Sequence, residues 1–154
     1  MLAEQLAALL LTKRLRLATA ESCTGGLIAG ACTDLSGSSN WFERGFITYS
    51  NDAKTEMLGV DAALIERRGA VSEQVVHAMA QGALLHSHAQ VAVAVTGVAG
   101  PTGGSRAKPV GTVWFGFAVP GQLTTEQQHF AGDRAAVRAA TVRHALTRLT
   151  ELLA

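Results

Sequence analysis

The stretch Val91-Ala92-Val93-Ala94-Val95-Thr96-Gly97-Val98-Ala99-Gly100-Pro101-Thr102-Gly103-Gly104-Ser105 decides the fold. Val91 to Thr96 is a short, continuous apolar run of strand length. Such runs suit strands buried on both faces, in sheets covered by helices on either side. The glycines and the proline that follow allow no regular element to persist. The strand therefore opens into a long loop at its carboxyl end, where ligands bind in open α/β sheets.

The flanking sequence fits that setting. Upstream, Ser72-Glu73-Gln74-Val75 approximates a capping box. It opens a helix to about His88, with Val76, Met79, Ala80, Ala83 and Leu84 at helical spacing. Two shorter helices precede it, one capped by Asn51 and stopped by Gly59, the other capped by Asp61 and stopped by Gly69. Arg44 to Tyr49 reads as a strand, preceded by a short helix or turn over Ser38–Glu43. Leu15 to Ala20 reads as another strand, and Glu21-Ser22-Cys23-Thr24-Gly25-Gly26 as the turn into a helix over Leu27–Asp34. An amphipathic helix covers Leu2–Lys13. Downstream, Val110–Val119 and Thr124–Phe130 form a hairpin about Pro120-Gly121. Gly132-Asp133-Arg134 opens a last helix to about Leu153. The predicted architecture is a three-layer α/β/α sandwich on a mixed, mostly parallel sheet of about five strands, in a single domain over residues 1–154. The loops after Ala20, Tyr49 and Thr96 meet at one end of it.

Composition narrows the function. Of 154 residues, 48% are apolar and 16% charged, and the net charge is +1. Disorder is excluded by the hydrophobicity. Bulk-charge binding to nucleic acid or a membrane surface is not expected. No apolar run reaches the roughly 20 residues of a membrane helix. Met1 to Leu11 contains Glu4 and lacks a basic leader, against a secretory signal. If the segment between Cys23 and Cys32 is helical, their separation is about 13–14 Å at 1.5 Å per residue. A disulfide needs about 7 Å. Both are read as free thiols of a reducing compartment, the cytoplasm. Neither they nor His86-x-His88 has the partners of a metal site, and no cofactor is expected.

Ser22 stands between a strand and a helix, where a hydroxyl can be exposed beside the N–H groups of Cys23, Thr24 and Gly25. An N-cap serine is the other reading. A serine nucleophile needs a base. His77, His86, His88 and His144 fall in predicted helices and His129 in a strand, so none is an evident partner. Lysine can serve when burial favours its neutral form. Only three lysines are present, and Lys54 follows a strand whose end carries the sole tyrosine, Tyr49. A solvated surface lysine is the alternative. The Gly97–Ser105 loop, followed by Arg106 and Lys108, can cradle an anion or be an unliganded loop. Cys23 as a nucleophile lacks a histidine base. Glu21 reads as a turn carboxylate tying down N–H groups, or as a general acid. Trp41 and Phe42 suit either an interface or the core.

Taken together, Ala20-Glu21-Ser22-Cys23-Thr24-Gly25-Gly26, Gly37-Ser38-Ser39 with Trp41-Phe42, Tyr49-Ser50-Asn51 with Lys54, Gly69-Ala70-Val71-Ser72, Val95 to Pro101, Lys108 to Val113 and Gly132-Asp133-Arg134 carry a resemblance. The chain resembles the CinA C-terminal domain family, which includes stand-alone nicotinamide-nucleotide amidohydrolases. The resemblance implies hydrolysis of the carboxamide of nicotinamide mononucleotide to nicotinic acid mononucleotide and ammonia. It implies a Ser22–Lys54 pair assisted by Tyr49. Cys23, Thr24, Gly25, Thr96, Gly97, Gly100, Gly103, Gly104, Arg106, Lys108, Thr112 and Arg134 would surround the substrate. The family also makes a homodimer reasonable. In larger relatives the domain follows a nucleotide-hydrolase domain, whose activity is not expected of this sequence. The rival readings are a non-catalytic nucleotide-binding module associated with competence or DNA damage, and an amidohydrolase of another small amide.

Overall fold

The computed structural model describes residues 2–154. The elements in chain order are α1 (Leu2–Lys13), β1 (Leu17–Glu21), α2 (Leu27–Thr33), β2 (Phe42–Ile47), α3 (Asn51–Leu58), α4 (Ala62–Arg68), α5 (Glu73–Leu85), β3 (Val91–Gly97), β4 (Thr112–Val119), β5 (Gln122–His129) and α6 (Arg134–Leu153). The strands form one sheet in the order β2-β1-β3-β4-β5. β1 pairs in parallel with β2 and β3, while β4 is antiparallel to both β3 and β5. Four strands thus run one way and only β4 runs against them. The predicted mixed, mostly parallel sheet is present, with helices on both faces.

The alternation along β3 shows why there are two cores. Val91, Val93 and Val95 point into a cluster with Leu6 and Leu10 of α1, Ile28 of α2 and Leu146 and Leu149 of α6. Ala92 and Ala94 point the other way, toward Val75, Val76 and Met79 of α5. Small side chains on that face let α5 approach closely. At Gly82 of α5 a Cβ would lie 2.1 Å from the Leu58 carbonyl oxygen, so no side chain is tolerated there. β5 is an edge strand, and its polar composition suits that position.

Several boundaries depart from the sequence reading. β2 covers Phe42–Ile47, not Arg44–Tyr49, and only Ser38–Asn40 forms the short helical turn before it. Trp41 is 1% exposed and belongs to the core, which removes it as an interface residue. Ser50, not Asn51, caps α3, accepting the Ala53 N–H at 3.0 Å. α5 ends at Leu85 because the next residues are drawn to the sheet edge. Arg44 donates to the His86 carbonyl and Glu43 accepts the His88 N–H. β4 begins at Thr112, since Gly111 has φ +96° and a Cβ there would meet the Phe130 oxygen at 2.1 Å.

Strand register positions the site. Glu21 ends β1 level with Ile47 of β2 and Val95 of β3. The next residue of each strand, Ser22, Thr48 and Thr96, therefore emerges side by side at the carboxyl edge. The Ser22 N–H donates to the Val95 carbonyl at 3.1 Å, and the Thr48 N–H to the Glu21 carbonyl at 2.8 Å. The chain leaves β1 for β2 on one side and returns across it to β3 on the other. That reversal makes this edge the natural crevice.

Candidate active site

Ser22 sits where β1 ends, in a tight turn that precedes α2. Its hydroxyl oxygen is 3.0 Å from Lys54 Nζ. Lys54 lies on the first turn of α3, and helical side chains lean toward the helix N-terminus. Its Nζ accordingly folds back onto the segment leading into its own helix, 3.1 Å from the carbonyl oxygens of both Thr48 and Tyr49. The lysine is 1% exposed. Among the described residues no carboxylate pairs with it. Burial pushes its pKa below the usual 10.5, and the positive end of α3 acts in the same sense. Nζ donates to the Thr48 and Tyr49 carbonyls and to the Ser22 hydroxyl oxygen, and its lowered pKa brings the neutral form, which can take up the Ser22 proton, within easier reach.

Behind the serine, Glu21 fixes the turn. Its carboxylate, 1% exposed, accepts the N–H groups of Ile28 and Ala29 at 2.8 and 3.0 Å and the Thr24 hydroxyl at 2.5 Å. Glu21 is thus a turn carboxylate, as one of the two sequence readings has it. This changes the expected anion site. α2 begins at Leu27, so Cys23, Thr24 and Gly25 are turn residues, and the helix N-terminus is already occupied by Glu21. The Gly25 N–H donates to the Ser22 carbonyl at 3.1 Å. Among the described residues, no other residue accepts the N–H of Cys23 or Thr24, and the Cys23 N–H faces its own thiol. Cys23 itself is buried, and desolvation pushes its thiol up to about 11. It therefore stays protonated at neutral pH, against a thiolate nucleophile.

A cavity of about 230 Å³ opens over the pair. Ser22, Cys23 and Lys54 form its floor, Thr96, Gly97 and Ala99 one side, Ala70 and Val71 another, and Tyr49, Asn51 and Arg134 the rim. The Thr96 hydroxyl donates to the Ala70 carbonyl at 3.0 Å and so ties the β3 edge to the wall before α5. Tyr49 reaches the Ser–Lys pair through its main-chain carbonyl. Its side chain is 60% exposed, and its hydroxyl accepts from Arg134 Nη2 at 3.1 Å. Arg134 Nη1 donates to the Gly100 carbonyl at 2.9 Å. Arg134 also borders a second cavity of about 700 Å³, lined by Ala99, Pro101, Val110, the start of α6 and Arg138.

Other expected substrate contacts lie elsewhere. Thr24 is fully buried under the turn. Lys108 Nζ is engaged with the Arg68 carbonyl at 2.7 Å, pinning the turn after α4. The Thr112 hydroxyl donates to the Pro109 carbonyl. Gly100, Gly103, Gly104 and Arg106 do not line the smaller cavity. Sequence reasoning about the site passed over Asn51, Ala70, Val71, Ala99 and Arg138. The first four stand within or beside the motifs quoted above. Arg138 has a weaker signal, one helical turn beyond Arg134.

Comparison with known proteins identifies the family. The CinA C-terminal domain model matches residues 1–153. A relative from Enterobacter agglomerans, named nicotinamide-nucleotide amidohydrolase PncC, is 65% identical over 120 residues, 77% of this chain and 73% of the relative. A protein of the same name from Escherichia coli K12 is 52% identical over 149 residues, 96% of this chain and 90% of the relative. Among solved structures, competence/damage inducible protein CihA from Agrobacterium tumefaciens superposes with a TM-score of 0.95 at 48% identity, covering 98% of this chain and 93% of that one. The chain belongs to the CinA C-terminal domain family.

Proposed function

We propose that this chain is a nicotinamide-nucleotide amidohydrolase that converts nicotinamide mononucleotide and water to nicotinic acid mononucleotide and ammonia, with Ser22 as nucleophile and Lys54 as its base. The observation that carries this reading is the 3.0 Å contact between the Ser22 hydroxyl and a buried amine with no carboxylate partner. The relatives named as nicotinamide-nucleotide amidohydrolases support the reaction class.

Neutral Lys54 takes the Ser22 proton as Oγ bonds to the amide carbon. The oxyanion is stabilised by the unpartnered N–H groups of the turn, contacts of a kind worth about 2.7–4 kcal/mol per donor. The tetrahedral adduct collapses, Lys54 returns the proton to the departing nitrogen, and ammonia leaves. Water then attacks the Ser22 ester, with Lys54 again as base, releasing the carboxylate and restoring the hydroxyl. These steps call on no metal or cofactor. The Thr48 and Tyr49 carbonyls orient Lys54, and Thr96 holds the cavity wall.

In this reading the pyridine ring occupies the 230 Å³ cavity, and the ribose and phosphate extend into the adjoining 700 Å³ one. Arg134, at the boundary, is the favoured phosphate partner, since Lys108 is engaged elsewhere. Pro101, within the Gly100–Gly104 loop, lines the same larger cavity. Two free, buried cysteines suit the cytoplasm. A homodimer is supported by exposed Leu27, Ile47 and Tyr49, and light scattering showing only monomer would count against it.

The test is ammonia release with mass-spectrometric product identification from nicotinamide mononucleotide, with Ser22→Ala alongside. Turnover by wild type that is lost in the variant is expected. A folded wild-type protein that binds the nucleotide without turnover would overturn the reading in favour of a binding module.

A further inference from the structure

The turn after Ser22 is gripped by a residue 115 positions further along the chain. Arg138, in the first turns of α6, donates from Nε to the Cys23 carbonyl at 3.1 Å and from Nη2 to the Thr24 carbonyl at 3.2 Å. The fit is close, since a Cβ added to Gly25, whose φ is +57°, would stand 3.5 Å from Arg138 Nη2. α6 is a firm support, because the neighbouring Val137 is fully buried in the core.

The consequence follows from peptide geometry. A trans peptide directs its C=O and N–H to opposite sides. Gripping the Cys23 carbonyl therefore sets the direction of the Thr24 N–H. Gripping the Thr24 carbonyl sets that of the Gly25 N–H, which donates to the Ser22 carbonyl. That last bond orients the peptide plane carrying the Cys23 N–H. One guanidinium thus locks three consecutive planes, including the two whose N–H groups no other described residue accepts. A guanidinium presents its donors in a rigid fork, which an ammonium cannot reproduce.

We infer that Arg138 is a positioning residue that holds the Cys23 and Thr24 N–H groups in the direction that stabilises the oxyanion. This rests on the acyl-transfer reading given above. A misdirected donor weakens stabilisation of the transition state more than ground-state binding, so the loss falls on kcat.

The experiment compares Arg138→Ala and Arg138→Lys with wild type on nicotinamide mononucleotide, reading kcat and KM separately, with melting curves and pH profiles. Expected is a fall in kcat of about 10- to 100-fold, within the loss seen when an oxyanion donor is removed. KM stays within about threefold, and the pH profile keeps its shape, because Lys54 is untouched. Methylguanidine added to Arg138→Ala restores part of kcat, and adds nothing to Ser22→Ala. A rise in KM at unchanged kcat would overturn the inference, making Arg138 a substrate contact from the larger cavity. Unchanged kinetics in both variants would overturn it too, as would lost activity tracked by early melting in both and no response to methylguanidine. Retained turnover in Ser22→Ala would instead remove the underlying acyl-transfer reading.

Discussion

Ser22 Oγ and Lys54 Nζ lie 3.0 Å apart although 32 positions separate them in sequence. They come from two neighbouring parallel strands, one residue past the end of β1 and on the helix that follows β2. The lysine's other neighbours are main-chain carbonyls. Its protonation state is therefore governed by burial and not by a counter-ion, and the first predictions concern that amine.

Lys54→Ala is expected to lower kcat by about 10²–10⁴-fold, the usual contribution of a positioned acid–base group. Lys54→Arg should be equally impaired, because a guanidinium does not give up its proton near neutral pH. Steady-state ammonia release measures both. Either variant at near-wild-type turnover would remove lysine from the mechanism.

The wild-type pH profile should rise with pH. The competent form of Lys54 is neutral, so kcat/KM is low while the amine is protonated and grows as it loses its proton. Because burial lowers the pKa, the rise should be centred below 10.5, the ordinary lysine value. A profile that falls across this range, or one whose rise survives in Lys54→Ala, would contradict the assignment.

Tyr49→Phe should retain kcat within a few-fold. The phenol contacts Arg134, while the contact with Lys54 comes from the main chain, which the substitution keeps. A modest rise in KM is expected through the loosened Arg134. A loss of kcat comparable to that of Lys54→Ala would place the phenol in proton transfer.

Cys23→Ser should remain active, since the thiol pKa of about 11 leaves it protonated under assay conditions. Iodoacetamide should act slowly on the native protein. Rapid alkylation with parallel loss of activity, abolished in Cys23→Ser, would reverse the choice of nucleophile.

Glu21→Ala should destabilise the fold by about 2–4 kcal/mol, because it leaves two buried N–H groups and a hydroxyl without their charged acceptor. Chemical denaturation would show this as a lower midpoint. An unchanged midpoint would mean that water replaces the carboxylate.

Much of the fold was legible because it is written in short-range pattern. The Val91–Val95 run, the Ser72 and Asp61 caps and the Pro120-Gly121 turn depend on residues a few positions apart, and that run, those caps and that turn stand where the sequence puts them. The errors lie where distant residues intervene. Arg44 and Glu43 pull His86 and His88 off the end of α5, and Trp41 is drawn into a core built by elements on both sides of it. Ser22, Lys54 and the motifs around them were visible as residue types at suggestive places, and the family resemblance rests on those same residues.

The sequence by itself determined the alternation of strands and helices, the small-residue face of β3 that admits α5, and the supply of a serine and a lysine just past two strands. Only the tertiary structure decided that the amine is buried against the hydroxyl, that Lys108 serves the turn after α4, and that Arg138 grips the carbonyls behind Ser22. The physical reason is one of range. Caps and periodicity are settled by neighbours along the chain, whereas distances between side chains on different elements follow from strand order and register, which the whole sheet fixes together.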